Sequence, residues 1–318
     1  MIKKLIEVAQ SVYQMGKYSS LPYATAQLFS MHGFFDKMSD KTYLSMLYRL
    51  FFKFRRKLNL ENPQTLTEKL QWLKLYDHRD FYPNMVDKCE VKKIVADRVG
   101  AEHVIPTLGV YNSFDEIDFD ALPEQFVLKC THDSGGLYFC KDRSTFDKEE
   151  ARAFLNRRLE STPFMQSREF AYRDVKPRII AEPFMPELGN LDSVEYKVTC
   201  FNGKVNFITV CTGIAHGRFE DRKNDFFDRD WNFLPFRTVY YENSGIDYKK
   251  PENLDEIITF CEKIADGIPY VRVDFYLLDG KIYFGETTFY TWGGFIHFTP
   301  EEWDYKLGSM VELPEKHI

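Results

Sequence analysis

The chain has 318 residues, 44% of them hydrophobic and 28% charged, which is the composition of a globular protein with room for about two domains or subdomains. Its net charge is −6, yet residues 1–60 hold ten Lys or Arg against three acids, leaving +7 there and −13 in the remainder. A negative body without a recognition motif excludes nucleic-acid binding as the expected function, and six cysteines without a CxxC pair exclude a disulfide framework, argue against a zinc site and fit a reducing cytosol.

Residues 1–57 are predicted as amphipathic helices interrupted at Gly16, Pro22 and Gly33, and residues 1–60 are taken as a basic helical extension. The opening lacks the roughly 7–15 residue apolar core of a signal peptide, and no run reaches the ~18 apolar residues of a membrane span, so a cytoplasmic protein is expected. Arg49, Lys53, Arg55, Arg56 and Lys57 alternate with Phe51, Phe52 and Phe54. Residues 49–57 could rest on the anionic inner face of a membrane, or pack as a basic segment on the acidic body of the same chain.

In "NPQTLTEKLQWLKLYDH", Thr65 and Glu68 have capping-box spacing, and Leu66, Leu70, Leu73 and Tyr76 keep one apolar face. A second helix is predicted to open at Asp87 and stop at Gly100. Short strands follow: "EQFVLKC", "GLYFC", "PRIIAEPFM", "EYKVTCFNGKVNFITVCTG" and the hairpin "YVRVDFYLLDGKIYFGETTFYTWGG", with helices near 147–160 and 253–266. The fold class is α+β, with Asn202-Gly203 and Asp279-Gly280 marking hairpin turns.

Three stretches carry chemistry. In "FVLKCTHDSGGLYFC" an apolar strand delivers Lys129, and Ser134, Gly135 and Gly136 form a turn whose amides could approach a phosphate; a plain hairpin turn is the bland reading. His132 could touch the same anion or face solvent. In "KPRIIAEPFMP" the strand ends at Glu182 and passes to Phe184 and Met185, a hinge able to cover a purine, with Glu187 in reach of a ribose hydroxyl. A buried strand end and a surface acid are the alternatives. In the last hairpin, Arg272 and Asp274 share one face of their strand, and Glu286 and Thr288 share one face of theirs. A two-residue turn would send Glu286 to the wrong side, so a three-residue loop with a bulge at Gly280 is predicted. Two buried carboxylates then call for a cation: either a magnesium ion, which accepts one or two carboxylates with phosphate and water, or a structural salt bridge from Arg272.

These residues, "DK" at 87–88, "VLK" to Lys129, "SGG", "IIAEPF", "EYKV" and "RVDF…GKIYFGET", resemble an ATP-grasp enzyme in order and type. The likeness spans about residues 60–310 and is nearest to the TupA-like group associated with teichuronopeptide and capsular polysaccharide genes. "NPQTLTEKLQWLKLYD", "LPEQFVLKCTHDSGG" and "YFGETTFYTWGG" look like that group's signatures. The resemblance implies two α+β subdomains sandwiching ATP: 61–125 as the first part of the unit, 126–182 as a lid with its glycine loop, and 183–318 as the core with the metal site. It places Lys88 and Lys129 on the phosphates, Ser134, Gly135 and Gly136 in the lid, Glu182 and Phe184 at the adenine, and Lys197 along the same cleft. Asp274 and Glu286 would hold Mg²⁺, with Thr288 where most members place Asn.

The implied reaction is transfer of a phosphoryl group from ATP to a carboxylate and attack by an amine or related nucleophile, with Lys129 and Arg272 offsetting the charge. The acceptor would be a carboxylate-bearing sugar or amino acid. His216, Arg218 and Arg222, in the charged loop "GIAHGRFEDRKND", could hold it or merely be solvated. A competing reading takes Asp228 and Asp230 as the DxD metal site of a surface-polysaccharide glycosyltransferase, with Trp231-Asn232-Phe233 in a strand. Thr288 leaves open a third, a scaffold with a dead nucleotide site, against which Lys129, Asp274 and Glu286 weigh.

Overall fold

The computed structural model describes residues 20–133, 135–160, 162–185, 194–213, 221–278 and 280–318. Two helices, α1 (Leu21–Met31) and α2 (Asp40–Phe51), open it. Pro22 does not break a helix. It sits in the first turn of α1, where its missing N–H costs nothing, and the Ser20 hydroxyl accepts the Tyr23 amide at 3.2 Å. Tyr43, Leu44, Tyr48 and Phe51 pack these helices around the fully buried Phe295, so this segment is joined to the core by an aromatic cluster. Arg56 pairs with Asp304 at 2.6 Å and with Glu301, which puts one member of the basic run against the acidic body. Lys53, Phe54, Arg55 and Lys57 stay exposed.

Helix α3 (Leu66–Tyr76) carries the expected capping box at Thr65 and Glu68. After the short α4 (Tyr82–Val86) comes α5 (Glu90–Val99), three residues later than the sequence suggests. Asp87 is the reason. Its carboxylate accepts the amides of Cys89 and Glu90 at 2.7 and 3.1 Å, capping the helix from outside, and Gly100 ends it at φ 116°.

A four-stranded antiparallel sheet of order β1-β4-β2-β3 comprises β1 (Gly109–Tyr111), β2 (Phe126–Cys130), β3 (Leu137–Cys140) and β4 (Ile179–Pro183). Helices α6 (Lys148–Leu159) and α7 (Pro163–Ser167) lie between β3 and β4 in the chain. Phe126, Leu128, Ile179 and Ala181 face α6 in a small core. A five-stranded antiparallel sheet of order β10-β9-β5-β6-β7 follows, built from β5 (Glu195–Phe201), β6 (Lys204–Thr212), β7 (Lys223–Asp228), β9 (Tyr270–Leu278) and β10 (Lys281–Thr288). One face buries Val198, Val271, Val273 and Phe275 against α8 (Leu254–Ala265), each side chain contributing about 1.5–3 kcal/mol of burial. A short pair, β8 (Arg237–Thr238) with β11 (Phe298–Thr299), and α9 (Glu302–Met310) close the chain.

Candidate active site

The second face of the five-stranded sheet is polar because strand alternation turns Arg272 and Asp274 away from Val271, Val273 and Phe275. Register sets Glu286 opposite Asp274, Asp274 opposite Lys197, and Lys197 opposite Thr209, making one row across four strands. Thr288, Arg272, Thr199 and Phe207 form the next row. The predicted three-residue loop is absent: Leu278 pairs with Lys281, leaving two positions in the turn. The odd residue is Gly285, a bulge between Phe284 and Glu286 that returns the carboxylate to the correct face. A Cβ on Gly285 would lie 3.1 Å from the Asp274 carbonyl oxygen, tighter than ordinary contact.

Asp274 is buried and doubly neutralised. Arg272 donates Nε and Nη2 to its two oxygens at 2.6 and 2.7 Å, and Lys197 donates to Oδ2 at 2.7 Å while also pairing with Glu195 at 2.6 Å. Burial pushes the Asp274 carboxyl up, but Arg272 and then Lys197 outweigh it and hold it below the usual carboxylate range. Burial likewise pushes Lys197 down, and Asp274 and Glu195 more than restore its proton. Glu286 has looser partners, Lys88 at 3.5 Å and Arg272 at 3.6 Å, and its side chain is 31% exposed. Asp274 Oδ1 accepts one bond and keeps a lone pair. With the open carboxylate of Glu286 and the Thr288 hydroxyl beside it, this donor set fits a hard divalent cation that brings its own phosphate and water ligands.

The four-stranded sheet presents the complementary surface. Val110, Ile180, Lys129 and Leu137 form one row, with Glu182, Val127 and Phe139 in the next. Glu182 is buried between Lys129, at 2.6 Å, and Lys92 from α5. Burial pushes its carboxyl up, and the two ammonium groups outweigh that and hold it below the ordinary range. The apolar part is open: Val110 and Leu137 are 38% exposed and Phe139 48%. Phe184 lies beside Phe139, ring centroids 6.1 Å apart.

Lys88 links the two sheets, pairing with Glu286 and donating to the Asp133 carbonyl of the glycine turn. In that turn the Gly136 amide donates to Asp133 Oδ1 at 3.0 Å, and a Cβ on Gly136 would sit 2.4 Å from the same oxygen. Glycine is therefore required by the close approach of Asp133, which Arg158 holds at 2.5 Å. His132 is fully buried, not solvent-facing.

A family model described as TupA-like ATPgrasp matches residues 68–312. The chain belongs to the TupA-like ATP-grasp family. Among solved structures this ATP-grasp protein is similar to the D-alanine–D-alanine ligase of Bacillus anthracis complexed with ATP, at 18% identity over 64% of this chain and 54% of that one, TM-score 0.38. It is also similar to the ADP complex of purK, an N5-carboxyaminoimidazole ribonucleotide synthetase, at 14% identity over 78% and 56%, TM-score 0.41. For D-cycloserine synthetase DcsG the figures are 16%, 65%, 62% and 0.37. The chain spans between 54% and 62% of the length of these three proteins. No curated protein matches it.

Of the residues singled out from sequence, Lys197, Arg222, Arg272, Glu286 and Thr288 line one cavity of about 450 Å³ in the ATP-grasp chain. Lys129 and Glu182 belong to the four-stranded sheet and Phe184 follows β4, and none of these three, nor Lys88, Gly135, Gly136 or Asp274, lines that cavity. Ser134, Glu187, His216 and Arg218 lie outside the described residues. Asp228 caps a turn, its Oδ1 accepting the amides of Asp230 at 2.9 Å and Asn232 at 2.8 Å. Trp231 there has φ 73°, so the segment predicted as a strand is a turn. Sequence reasoning missed Lys92, whose signal was its place one helical turn after Lys88, and Glu195, which alternates with Lys197. It also missed Arg158 and Glu169, for which no local pattern exists.

Proposed function

We propose that the protein is an ATP- and Mg²⁺-dependent ligase that activates a carboxylate as its acylphosphate and passes it to an amine or related nucleophile. The observation that carries this reading is the single path Asp133–Lys88–Glu286, which joins the glycine turn to the carboxylate row across the cavity. Lys88, Lys129 and Arg272 supply fixed positive charge around the space between the sheets, where it needs no reorganisation as negative charge shifts between oxygens. Phe139, Phe184 and Val127 supply an apolar face for a base, with Glu182 positioning Lys129 and Lys92 rather than standing free. Mg²⁺ held by Glu286, Asp274 and Thr288 would neutralise the outer phosphates.

Family membership supports a role in building or modifying a cell-surface polysaccharide or its precursor, with a carboxylate-bearing sugar or amino acid as acceptor and Arg222 beside it. The six described thiols are free, which accords with the cytoplasm. The exposed Lys53, Phe54 and Arg55 would make peripheral contact with an anionic inner leaflet. No described helix is long and apolar enough to cross a membrane.

The test is an ADP-release screen of uronic acids and amino acids with hydroxylamine as trapping nucleophile. Carboxylate-dependent release and a hydroxamate product are expected from the natural protein, and neither from Glu286→Gln. Release no greater than that blank for every carboxylate would overturn the ligase reading.

A further inference from the structure

The cavity continues past the charged row to a second wall that the phosphate chemistry does not use. Glu169 lines it and is 8% exposed. Its Oε1 accepts the Ser167 hydroxyl at 2.7 Å, and among the described residues no Lys, Arg or His lies in ion-pair reach of either oxygen. The nearest buried cation, Lys74, acts on Glu169 only through space, because its Nζ donates to neutral acceptors, Gln71 Oε1 at 3.0 Å, the Ser167 carbonyl at 2.9 Å and the Gly293 carbonyl, and burial still pushes the Glu169 carboxyl up. A carboxylate so deep and so poorly neutralised is costly unless something positive joins it.

The wall around Glu169 is built with strain. Trp292 adopts φ 55°, a left-handed conformation uncommon for a large side chain, and Gly293 follows at φ 61°. Lys74 pins this turn, and a Cβ on Gly293 would meet Ser167 Oγ at 3.0 Å, so the turn presses directly on the segment holding Glu169. The strained conformation stacks Trp292 on Tyr240, centroids 4.0 Å apart, while leaving the indole 40% exposed at the cavity edge. Tyr290, 2% exposed, lines the same cavity, and its hydroxyl has no hydrogen-bond partner among the described residues.

We propose that this pocket receives the primary ammonium group of the second substrate, with Glu169 as its counter-charge, the Tyr290 hydroxyl as an acceptor and the Trp292 ring as a cation-binding face. The assignment rests on the ligase reading and names the chemistry of its nucleophile. Glu286 and Glu169 line one cavity together with Tyr172, so the two carboxylates bound one space, one on the phosphate side and one on the amine side. Of the cations lining the same cavity, Lys197 and Arg272 pair with Asp274 and Arg158 with Asp133, and Arg222 lines it as well.

The experiment titrates glycinamide and glucosamine, each against its N-acetylated counterpart, into the full chain saturated with ADP and Mg²⁺, following thermal stabilisation. The two amines distinguish an amino-acid source from an amino-sugar source. Stabilisation by at least one free amine and not by its N-acetyl form is expected, with apparent affinity falling about tenfold or more in Glu169→Gln. Stabilisation by ADP itself should persist in that variant. Tyr290→Phe removes only a hydroxyl without a described partner, so it should fold and still lose affinity several-fold. Equal response to free and acetylated amines, or amine binding unchanged in both variants, would overturn the assignment. Failure of ADP to stabilise the natural protein would instead strike the ligase reading on which it stands.

Discussion

The two sheets of this ATP-grasp protein solve the same electrostatic problem and then part ways. Each buries one carboxylate, Asp274 or Glu182, between two cations: Arg272 and Lys197 in one case, Lys129 and Lys92 in the other. Around Asp274 the row is the floor of a walled cavity. Around Glu182 the sheet face is open and its neighbours Leu137 and Phe139 are exposed apolar groups. Charge balance at both carboxylates is thus complete without a ligand. What remains for a ligand is the loosely paired Glu286 on one side and uncovered apolar surface on the other.

The comparison breaks most directly at the carboxylates. Asp274→Asn leaves Arg272 and Lys197 buried without their main counter-charge, and a loss of about 3–5 kcal/mol in urea unfolding is expected. Glu182→Gln should cost less, because Lys92 keeps its hydrogen bonds to the Ile105 carbonyl at 2.8 Å and the Thr107 hydroxyl at 3.1 Å when the carboxylate charge is lost. Equal losses would mean that these neutral acceptors do not support the ammonium group. Next in size is Lys129→Ala, for which ATP turnover of the folded protein should fall by ~10²-fold or more, while the unfolding midpoint also drops because the buried Glu182 is left with Lys92 alone.

Acid should act on a third region before either sheet. Burial, reinforced by Arg56, pushes the His297 ring down to about 4, where it stacks on Phe51 at 4.4 Å. The unfolded chain takes up that proton near pH ~6.5, so between the two values it binds more protons than the folded one, and stability falls as pH falls, by about 3 kcal/mol in all. Glu182 and Asp274, with carboxyls held low, contribute stability above the ordinary carboxylate range that is lost only as pH drops further, through their folded values. Unfolding midpoints measured from pH 7 to 4 should therefore decline in the natural protein and decline less in His297→Gln. Phe139→Ala is the mildest: about tenfold weaker ADP binding at unchanged stability, since the ring is half exposed.

Much of this was legible before any coordinates. The capping box at Thr65 and Glu68, the Asn202-Gly203 hairpin with both residues at positive φ, and the face shared by Arg272 and Asp274 are set by contacts a few residues apart. The hairpin's parity was misjudged because a bulge can sit anywhere along a ladder. Gly280 was the visible candidate, whereas Gly285 carries it. Pro22 and the Asp228 turn were misread for a related reason: a proline opens a helix as readily as it ends one, and alternating residues around Asp228 resemble a strand until one adopts positive φ.

Periodicity, turn chemistry and motif order alone determined the α+β class, the family likeness and which carboxylates would share a face, because those properties repeat over two to four residues. Only the tertiary structure decided who neutralises whom. Lys92 meets Glu182 across 90 positions, whereas Glu169 makes no ion pair among the described residues and feels Lys74 only through space, and such pairings depend on how sheets and helices stack, which no local pattern encodes.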